Sequence, residues 1–260
     1  MTRNSAFSYG GGAYNSTLKN CTLTGNSAGA DGGGAYVSTL NNCILYFNTA
    51  TNGPNYLQDQ YTPMNYCCTT PMPNNGVGNI TNAPRFLGYA GGNLRLQSNS
   101  PCINAGRNAF VPGSTDLDGH PRIVGGTVDI GAYEFQSPNS AISYAWLQQY
   151  ELPFDGSADF TDEDADGMNN WQEWRCQTDP TKAVSVLRLL SAAADGNDLK
   201  VTWHSVAGVD YFLERSTNLS ASPVFTLLVT NIPGQADTTT FTETNATGWC
   251  QLFYRVGVQD

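Results

Sequence analysis

The chain has 260 residues, with 22 acidic and 12 basic side chains and a formal net charge of −10. Only 13% of its residues are charged and 27 are glycine, a composition that favours a β-rich extracellular protein over a helical cytosolic enzyme. The sequence has no cluster of basic residues that could bind the phosphates of a nucleic acid, so nucleic-acid binding is not expected. It also has no apolar segment near the roughly 20 residues of a membrane span, so a membrane-spanning helix is not expected.

The first predicted element is an internal repeat. Residues 9–28 and 31–50 agree at 13 of 20 aligned positions, with an offset of 22 residues. Units this short cannot bury a core alone, so they predict a stack of turns. Glycine and β-branched residues disfavour helix, and the alternation in 21–24 indicates strands. We therefore predict the end of a right-handed parallel β-helix, in which equivalent residues lie about 4.8 Å apart.

Stacking of the two repeats would place equivalent side chains in ladders. Cys21 would lie beside Cys43, where a disulfide is geometrically allowed. We favour buried free thiols that pack as small hydrophobic groups. An asparagine ladder is also predicted in a turn, formed by Asn20 and Asn42 or by Asn26 and Asn48.

Two tyrosines of the repeat, Tyr14 and Tyr36, are equivalent as well. Exposed, stacked aromatic rings could form a strip that binds a sugar, or they could pack against a turn. The first alternative predicts a carbohydrate-binding module, with a polysaccharide or another cell-surface component as the partner.

The beginning of the chain, MTRNSAFSYGGG, lacks the apolar segment of a signal peptide. Two clear turns would also leave the edge of the first turn unpaired. We therefore expect this chain to be the C-terminal part of a longer secreted or cell-surface protein whose signal peptide lies upstream. It would be a monomer or part of that longer chain.

Residues 51–136 lose the strict repeat but keep its composition. Three segments are specific: SPCINAG at 100–106, DLDGHPR at 116–122 and VDIGAYE at 128–134. They resemble the C-terminal end of bacterial surface β-helix proteins of the choice-of-anchor Q type. The resemblance covers about residues 1–136, implies a β-helix end with a bacterial surface location, and implies no single reaction.

Within these segments, Asp129 and Glu134 flank an apolar strand, and Arg122 is expected to pair with one of them. Carboxylates beside glycines at turns usually cap the backbone, and this is the interpretation that we favour. The alternative is an acid/base pair with an activating arginine, as in β-helix lyases and hydrolases. We predict no catalytic residue in this chain.

Residues 162–173 match the calcium-loop pattern D-x-D-x-D-G-x5-E at every specified position. Ca²⁺ takes six to eight oxygen ligands, and Gly167 permits the sharp turn that brings them together. A metal-free acidic loop and a Mg²⁺ site are the weaker alternatives. The predicted ligands are the side chains of Asp162, Asp164, Asp166, Asn170 and Glu173 and the backbone carbonyl of Met168.

Short helices are expected on both sides of this loop. One lies within residues 142–149, after a linker and N-cap at 137–140, and the other spans 170–176 with Trp171 and Trp174 in the core. The segment resembles the thrombospondin-repeat or dockerin-like calcium modules of secreted bacterial proteins. A dockerin needs two loops, and the second candidate, 155–159, has Phe160 where glycine is required, so we favour a simple turn there.

Residues 184–260 predict a small antiparallel β-sandwich. Alternating segments at 199–203, 211–215 and 253–258 are separated by turn residues at 195–197 and 233–234. The pattern resembles fibronectin-III-like domains, with Trp203 in the core. A disulfide between Cys176 and Cys250 would connect this domain to the calcium segment, but we favour no bridge there, because spacing alone does not show proximity.

The sequence thus predicts a mainly β protein with three parts: a β-helix end at 1–136, an EF-hand-like calcium segment at 137–183 and a sandwich at 184–260. The leading hypothesis is a non-catalytic part of a surface protein that serves presentation, anchoring or adhesion, with a structural calcium ion. The alternatives are a fragment of a polysaccharide lyase or glycoside hydrolase and a carbohydrate-binding module. Because residues 1–110 contain just two acids, any active site of the lyase or hydrolase would lie upstream.

Overall fold

The computed structural model describes residues 1–248 and 251–259. The chain is mainly β, with 34% of its residues in strands and 8% in helices. It forms two compact units, Met1–Asp159 and Phe160–Asp260. The division between them falls inside the segment 137–183 that the sequence predicts to be one calcium module.

The first unit is built from short strands, one α-helix and two 3-10 turns. The helix α1 spans Tyr144–Gln149, and the 3-10 turns span Tyr89–Gly91 and Asn108–Phe110. The strands are β1 Ser5–Ala6, β2 Ala13–Tyr14, β3 Thr17–Lys19, β4 Thr22–Thr24, β5 Ser27–Ala28, β6 Ala35–Tyr36, β7 Thr39–Asn41, β8 Ile44–Tyr46, β9 Tyr56–Leu57, β10 Met64–Asn65, β11 Cys68–Thr69, β12 Phe86–Gly88 and β13 Asn93–Leu96.

Most of these strands pair in parallel between successive turns of the chain. The sheets are β1-β5, β2-β6-β9, β3-β7-β10 and β4-β8-β11, and only β12-β13 is antiparallel among the described strands of this unit. Thr17 pairs with Thr39 and Thr22 with Ile44, the same offset as in the sequence repeat. The next turn pairs Tyr36 with Leu57 and Ile44 with Cys68, so its offset is shorter than the repeat in one sheet and longer in the other. The unequal offsets explain why the third turn is not visible as a sequence repeat.

The interior of these turns is a small apolar core. Leu23, Leu40, Cys43 and Leu45 are fully buried in it, together with Met64 and Cys67 from the third turn. Packing of leucine over leucine and cysteine over cysteine follows directly from the parallel register, because paired residues point to the same face.

The outer face of β4-β8-β11 is covered by the motif segments of 100–134. Gly131 N–H donates to Asn42 O, and Ala132 N–H donates to Thr22 Oγ1. Gly131 has φ +114°, and a Cβ there would lie 2.7 Å from Ile44 Cδ1, so glycine is required for this close approach. The motifs therefore hold the C-terminal part of the unit against the stacked strands.

An asparagine ladder runs through the turn that follows the β4-β8-β11 sheet. Asn26 N–H and Nδ2 both donate to Asn48 Oδ1, at 2.9 and 3.0 Å. The predicted pair extends in both directions, because Asn4 donates to Asn26 Oδ1 and Asn48 donates to Asn55 Oδ1. Asn26, Asn48 and Asn55 are buried, so the ladder satisfies backbone and side-chain groups that water cannot reach.

The second unit contains the acidic loop, the helix α2 (Asn170–Cys176), a 3-10 turn at Ala246–Gly248 and six antiparallel strands in its described part. The strands are β14 Leu189–Asp195, β15 Asp198–Ser205, β16 Asp210–Ser216, β17 Thr226–Pro233, β18 Asp237–Glu243 and β19 Phe253–Val258. They form two three-stranded sheets, β14-β15-β18 and β17-β16-β19. Both sheets contribute to one core, in which Trp203 is fully buried, as predicted.

Several local expectations are wrong. Residues 130–133, between Asp129 and Glu134, do not form a strand. The helix α1 begins at Tyr144 with Ser143 as its N-cap, and Ser140 instead donates its hydroxyl to Asp159 Oδ1. Trp171 is 37% exposed and lies under the Arg175 guanidinium, 5.8 Å from the ring centroid, rather than in the core. Cys250, the partner of Cys176 in the less favoured disulfide alternative, lies outside the described residues.

Candidate metal centre

The acidic loop leads directly into α2, which spans 170–176 as predicted. Asn169 caps the helix: its side chain accepts from Gln172 N–H, and the Gln172 side chain accepts from Asn169 N–H, a reciprocal capping box. Ala165 and Gly167 have φ of +62° and +97° and turn the loop back toward the helix. These local features fix the direction in which the loop side chains point.

Three aspartates of the loop converge. Carboxylate oxygens of Asp162, Asp164 and Asp166 all lie within 4.8 Å of one another. Each also accepts a backbone N–H of the loop: Gly167 donates to Asp162, Asp166 to Asp164 and Met168 to Asp166. The second oxygens of Asp164 and Asp166 are buried without a hydrogen-bond partner among the described residues.

Glu173 is the most unusual member of the cluster. Its side chain is 0% exposed, and within the described part of the chain neither carboxylate oxygen has a hydrogen-bond donor. Burial, followed by the charges of Asp164, Asp166 and Asp162, raises the pKa of Glu173 to about 8. A buried carboxyl group without a partner is costly, whereas a bound cation would compensate its charge.

The remaining predicted ligands lie in the same loop. Asn170 is fully buried, and its N–H and Nδ2 donate to the carbonyl and hydroxyl oxygens of Thr161. Met168 is half-buried and donates its N–H to Asp166 Oδ1. Thr161 lies just before the calcium pattern and was not predicted to take part. It orients Asn170 by accepting a hydrogen bond from the Asn170 side chain, nine residues further along the chain, and the calcium-loop pattern does not include this position.

The alternative second loop at 155–159 forms a turn, as predicted. Asp155 Oδ1 accepts from the N–H and hydroxyl of Ser157. Asp159 accepts from Ser140 Oγ and Ala141 N–H. Both carboxylates are therefore used in hydrogen bonds within the first unit.

A second acidic cluster that could hold a metal ion lies in the first unit, at Asp116, Asp118 and His120. Its carboxylates already have strong partners. Asp118 forms a two-point ion pair with Arg95, at 2.5 and 2.6 Å. Asp116 accepts the N–H groups of Asp118, His120 and Glu134. A cation here would have to replace these donors, unlike a cation at Glu173.

The Asp129 and Glu134 carboxylates act as backbone caps. Asp129 accepts from Asn104 and Phe135 N–H, and Glu134 accepts from Val124 and Asp129 N–H. The expected ion pair of Arg122 with one of these carboxylates is not formed; Arg122 instead donates to the carbonyl oxygens of Gly131 and Ala132. These contacts hold the turns of the motif segments together, which favours the structural interpretation over an acid/base pair.

These caps predict a pH dependence of stability. Burial raises the pKa of Glu134 to about 8 and that of Asp129 to about 7. The folded state then binds protons more tightly than the unfolded chain. The stability contributed by Asp129 is greatest below about pH 3.8 and that contributed by Glu134 below about pH 4.5, and both fall as the pH rises through 7 to 8. In Glu134→Gln, we expect the loss of unfolding free energy between pH 5 and 8.5 to be smaller by on the order of 2 kcal/mol. Urea unfolding at several pH values measures it.

The matched control for this titration is Glu151→Gln, an exposed glutamate of the same unit. Glu134→Gln is expected to be less stable at every pH, because an amide offers one acceptor where the carboxylate offers two. The informative quantity is therefore the change of the unfolding free energy with pH, and not its value at one pH. Equal slopes for wild type and Glu134→Gln would contradict the prediction.

The residues predicted from the repeat are brought together in pairs. Cys43 lies one strand from Cys21, since Ile44 N–H donates to Cys21 O, and both thiols are free. Asn42 Nδ2 donates to Asn20 Oδ1 at 3.4 Å and also holds Arg107 through backbone contacts.

The tyrosines of the repeat form a stack that includes one further ring. Tyr14 stacks on Tyr36 with centroids 5.6 Å apart and planes at 7°, and Tyr9 stacks on Tyr36 at 4.9 Å. Tyr14 is the most exposed of the three, at 57%. Face-to-face stacking covers ring surface of Tyr36 that a sugar would need, so sugar binding by this pair stays a prediction.

No family model, no curated protein and no solved structure matches this chain. Within residues 1–248 and 251–259, no helix has both the length and the apolar character needed to cross a membrane.

Proposed function

We propose that residues 162–173 bind one Ca²⁺ ion with a structural role in the second unit. The observation on which this rests is the Glu173 carboxylate, fully buried and without a donor among the described residues, next to three converging aspartates. Asp162, Asp164, Asp166, Asn170 and Glu173 would hold the ion, with the Met168 carbonyl. The positive charge of the ion would neutralise the negative charges of these carboxylates.

The chemistry of the donors favours calcium. All the proposed ligands are oxygen atoms, which suit a hard cation and not zinc or copper. The number of carboxylates fits the six to eight ligands of Ca²⁺, whereas Mg²⁺ keeps several waters and binds few protein carboxylates. Calcium binds only the folded loop, so it would stabilise the second unit by mass action.

For the whole chain, we propose a non-catalytic part of a secreted or cell-surface protein of the choice-of-anchor Q type. The first unit would be the end of a right-handed parallel β-helix, and the two sheets of the second unit a fibronectin-III-like sandwich. Parallel pairing at the offset of the sequence repeat supports the first assignment. Such a chain would serve presentation, anchoring or adhesion, and millimolar extracellular calcium would keep even a weak site filled.

Calorimetric titration of the chelator-treated chain with Ca²⁺ tests the site. We expect one ion per chain, a much weaker response to Mg²⁺, and a higher melting temperature of the second unit in calcium. At a calcium concentration about 100 times the Kd, the gain is about 2.7 kcal/mol. Tryptophan fluorescence follows the melting, and Trp203, buried in the core of this unit, contributes to the signal.

The control is Asp118→Asn, which removes a carboxylate from the second acidic cluster and should leave one ion per chain. If Asp118→Asn lost the binding heat while Asp164→Asn bound calcium normally, the calcium site would lie in the first unit and the proposal would be wrong. No heat and no shift in melting for wild type would leave 162–173 as an acidic loop without a metal.

A further inference from the structure

Two cysteines of the first unit lie on opposite sides of one packed interface. Cys68 belongs to β11, and Cys102 belongs to the first motif segment, 100–106. Both side chains are 0% exposed, and both are free thiols in this structure. They do not occupy equivalent positions of the sequence repeat, so the repeat does not predict a contact between them.

The strand register directs the Cys68 side chain outward from the stacked turns. Thr22, Ile44 and Cys68 are paired with one another in one row across the β4-β8-β11 sheet. The flanking residues Leu45 and Cys67 pack in the apolar core. Because successive side chains of a strand point to opposite faces, the row that contains Cys68 faces away from this core.

The motif segments cover this outward row in order. Residues 131–132 lie against its first two members, Thr22 and Ile44. Ile130 N–H donates to Cys102 O, so Cys102 lies beside the end of the covering residues. The third member of the row, Cys68, is in this way covered by Cys102.

The electrostatic surroundings of the two thiols show that their sulfur atoms are close. Burial, followed by a side-chain hydrogen bond with Cys102, raises the pKa of Cys68 well above its usual value. Burial, followed by the charges of Cys68 and Cys102, raises the pKa of Tyr46, so both thiols lie near this ring. Cys68 Sγ also donates to Asn82 O at 3.2 Å, and Asn82 is exposed, so water can replace that bond.

We propose that Cys68 and Cys102 form a disulfide that joins segment 100–106 covalently to the third of the stacked turns. The two thiols lose two protons and two electrons, and a small-molecule disulfide accepts them and becomes two thiols, through a mixed disulfide. Side chains that meet from opposite sides of an interface suit the short Cβ–Cβ separation of a disulfide, about 3.8 Å. This modification goes beyond the proposed function and does not depend on the calcium site.

The stacked cysteines of the core are less suited to form such a bond. Cys21, Cys43 and Cys67 point in the same direction from successive turns, and each thiol donates to the carbonyl oxygen two residues before it. Parallel side chains at the spacing of paired strands, about 4.8 Å, lie further apart than the Cβ atoms of most disulfides. We therefore expect these three thiols to stay reduced while Cys68 and Cys102 are oxidised.

The test is refolding of the full chain from urea in a buffer of oxidised and reduced glutathione, because neither thiol is accessible in the folded state. Cys250→Ala in every chain compared removes the cysteine outside the described residues. We expect a loss of two thiols per chain. Closing a loop of about 35 residues restricts the unfolded chain, so the first unit should melt about 5–10 °C higher without reductant than with it.

Peptide mapping identifies the bond that forms. Chymotrypsin cuts after Tyr66 and Phe86, and in the Cys67→Ala variant the peptide between these sites contains Cys68 as its sole cysteine. Mass spectrometry of the oxidised variant should find this peptide joined to the one that contains Cys102, and reduction should separate them.

The matched controls are Cys102→Ala and Cys43→Ala, each of which removes one fully buried thiol. We expect only Cys102→Ala to abolish the cross-link and the change in melting temperature. Thiols that remain free, that carry glutathione or that pair within the stack of Cys21, Cys43 and Cys67 would each overturn the proposal. Equal melting with and without reductant would do so as well. The peptide map decides even where an alanine variant does not fold, and no outcome bears on calcium binding at 162–173.

Discussion

In chelator at pH 8, the Glu173→Gln variant should be more stable than wild type, and in saturating calcium it should be less stable. The first effect arises because Glu173 is buried without a donor in the described structure, so its ionised form is costly when no cation is present. An amide of the same shape removes that charge, and we expect a gain of about 1–3 kcal/mol. The second effect arises because the variant lacks a carboxylate ligand and loses the calcium stabilisation, about 2–4 kcal/mol.

Thermal and urea unfolding of the second unit measure this reversal in the order of stability of wild type and variant. Each is carried out once with calcium and once with chelator. Glu163→Gln is the matched control, because Glu163 is an exposed glutamate of the same loop whose carboxylate accepts from Thr161 Oγ1. It should change neither curve by more than about 0.5 kcal/mol. A Glu173→Gln protein that is less stable than wild type in both conditions would show that the carboxylate has a purely structural partner and would count against a cation site.

The elements that the sequence predicts well are those fixed by local patterns. The acidic loop 162–173 specifies its own turn at Gly167 and the start of the helix that follows it, so α2 is found at 170–176 as predicted. Strand β19 also has its predicted limits, because residues 253–258 alternate in hydrophobicity. The pairing of Thr17 with Thr39 follows from the exact repeat, in which each residue has its equivalent at the same position of the next unit.

The features that the sequence does not reveal depend on contacts between distant residues. The third turn cannot be recognised in the sequence, because its strands pair with those of the second turn at residue offsets that differ from the repeat length and from one another. The strand pairing therefore continues although the sequence repeat does not. The next member of the asparagine ladder after Asn48 is Asn55, which lies only seven residues further along the chain and not one repeat length away. The lack of donors around Glu173 in the described structure is likewise a property of packing, since the pattern names the ligand but not its surroundings.

The asparagine ladder should be the most sensitive polar feature of the first unit. Asn48 Nδ2 donates to Leu23 O and Asn55 Oδ1, and its Oδ1 accepts twice from Asn26, all in buried surroundings. Asn48→Ala would leave several of these groups without partners and would open a small cavity. We expect a loss of about 3–5 kcal/mol of unfolding free energy, large for a single polar residue.

The controls separate the ladder from simple loss of an asparagine. Asn4→Ala, at the exposed end, should cost less than about 1 kcal/mol, because water can replace its contacts. Asn48→Asp keeps the acceptor for Asn26 but places a carboxylate oxygen near Asn55 Oδ1, so it should be destabilising at pH 7 and partly rescued at low pH. Urea unfolding of the three variants gives the comparison. Equal losses for Asn4→Ala and Asn48→Ala would mean that burial adds nothing to the ladder, and that the stacked turns are held by their backbone pairing and apolar core alone.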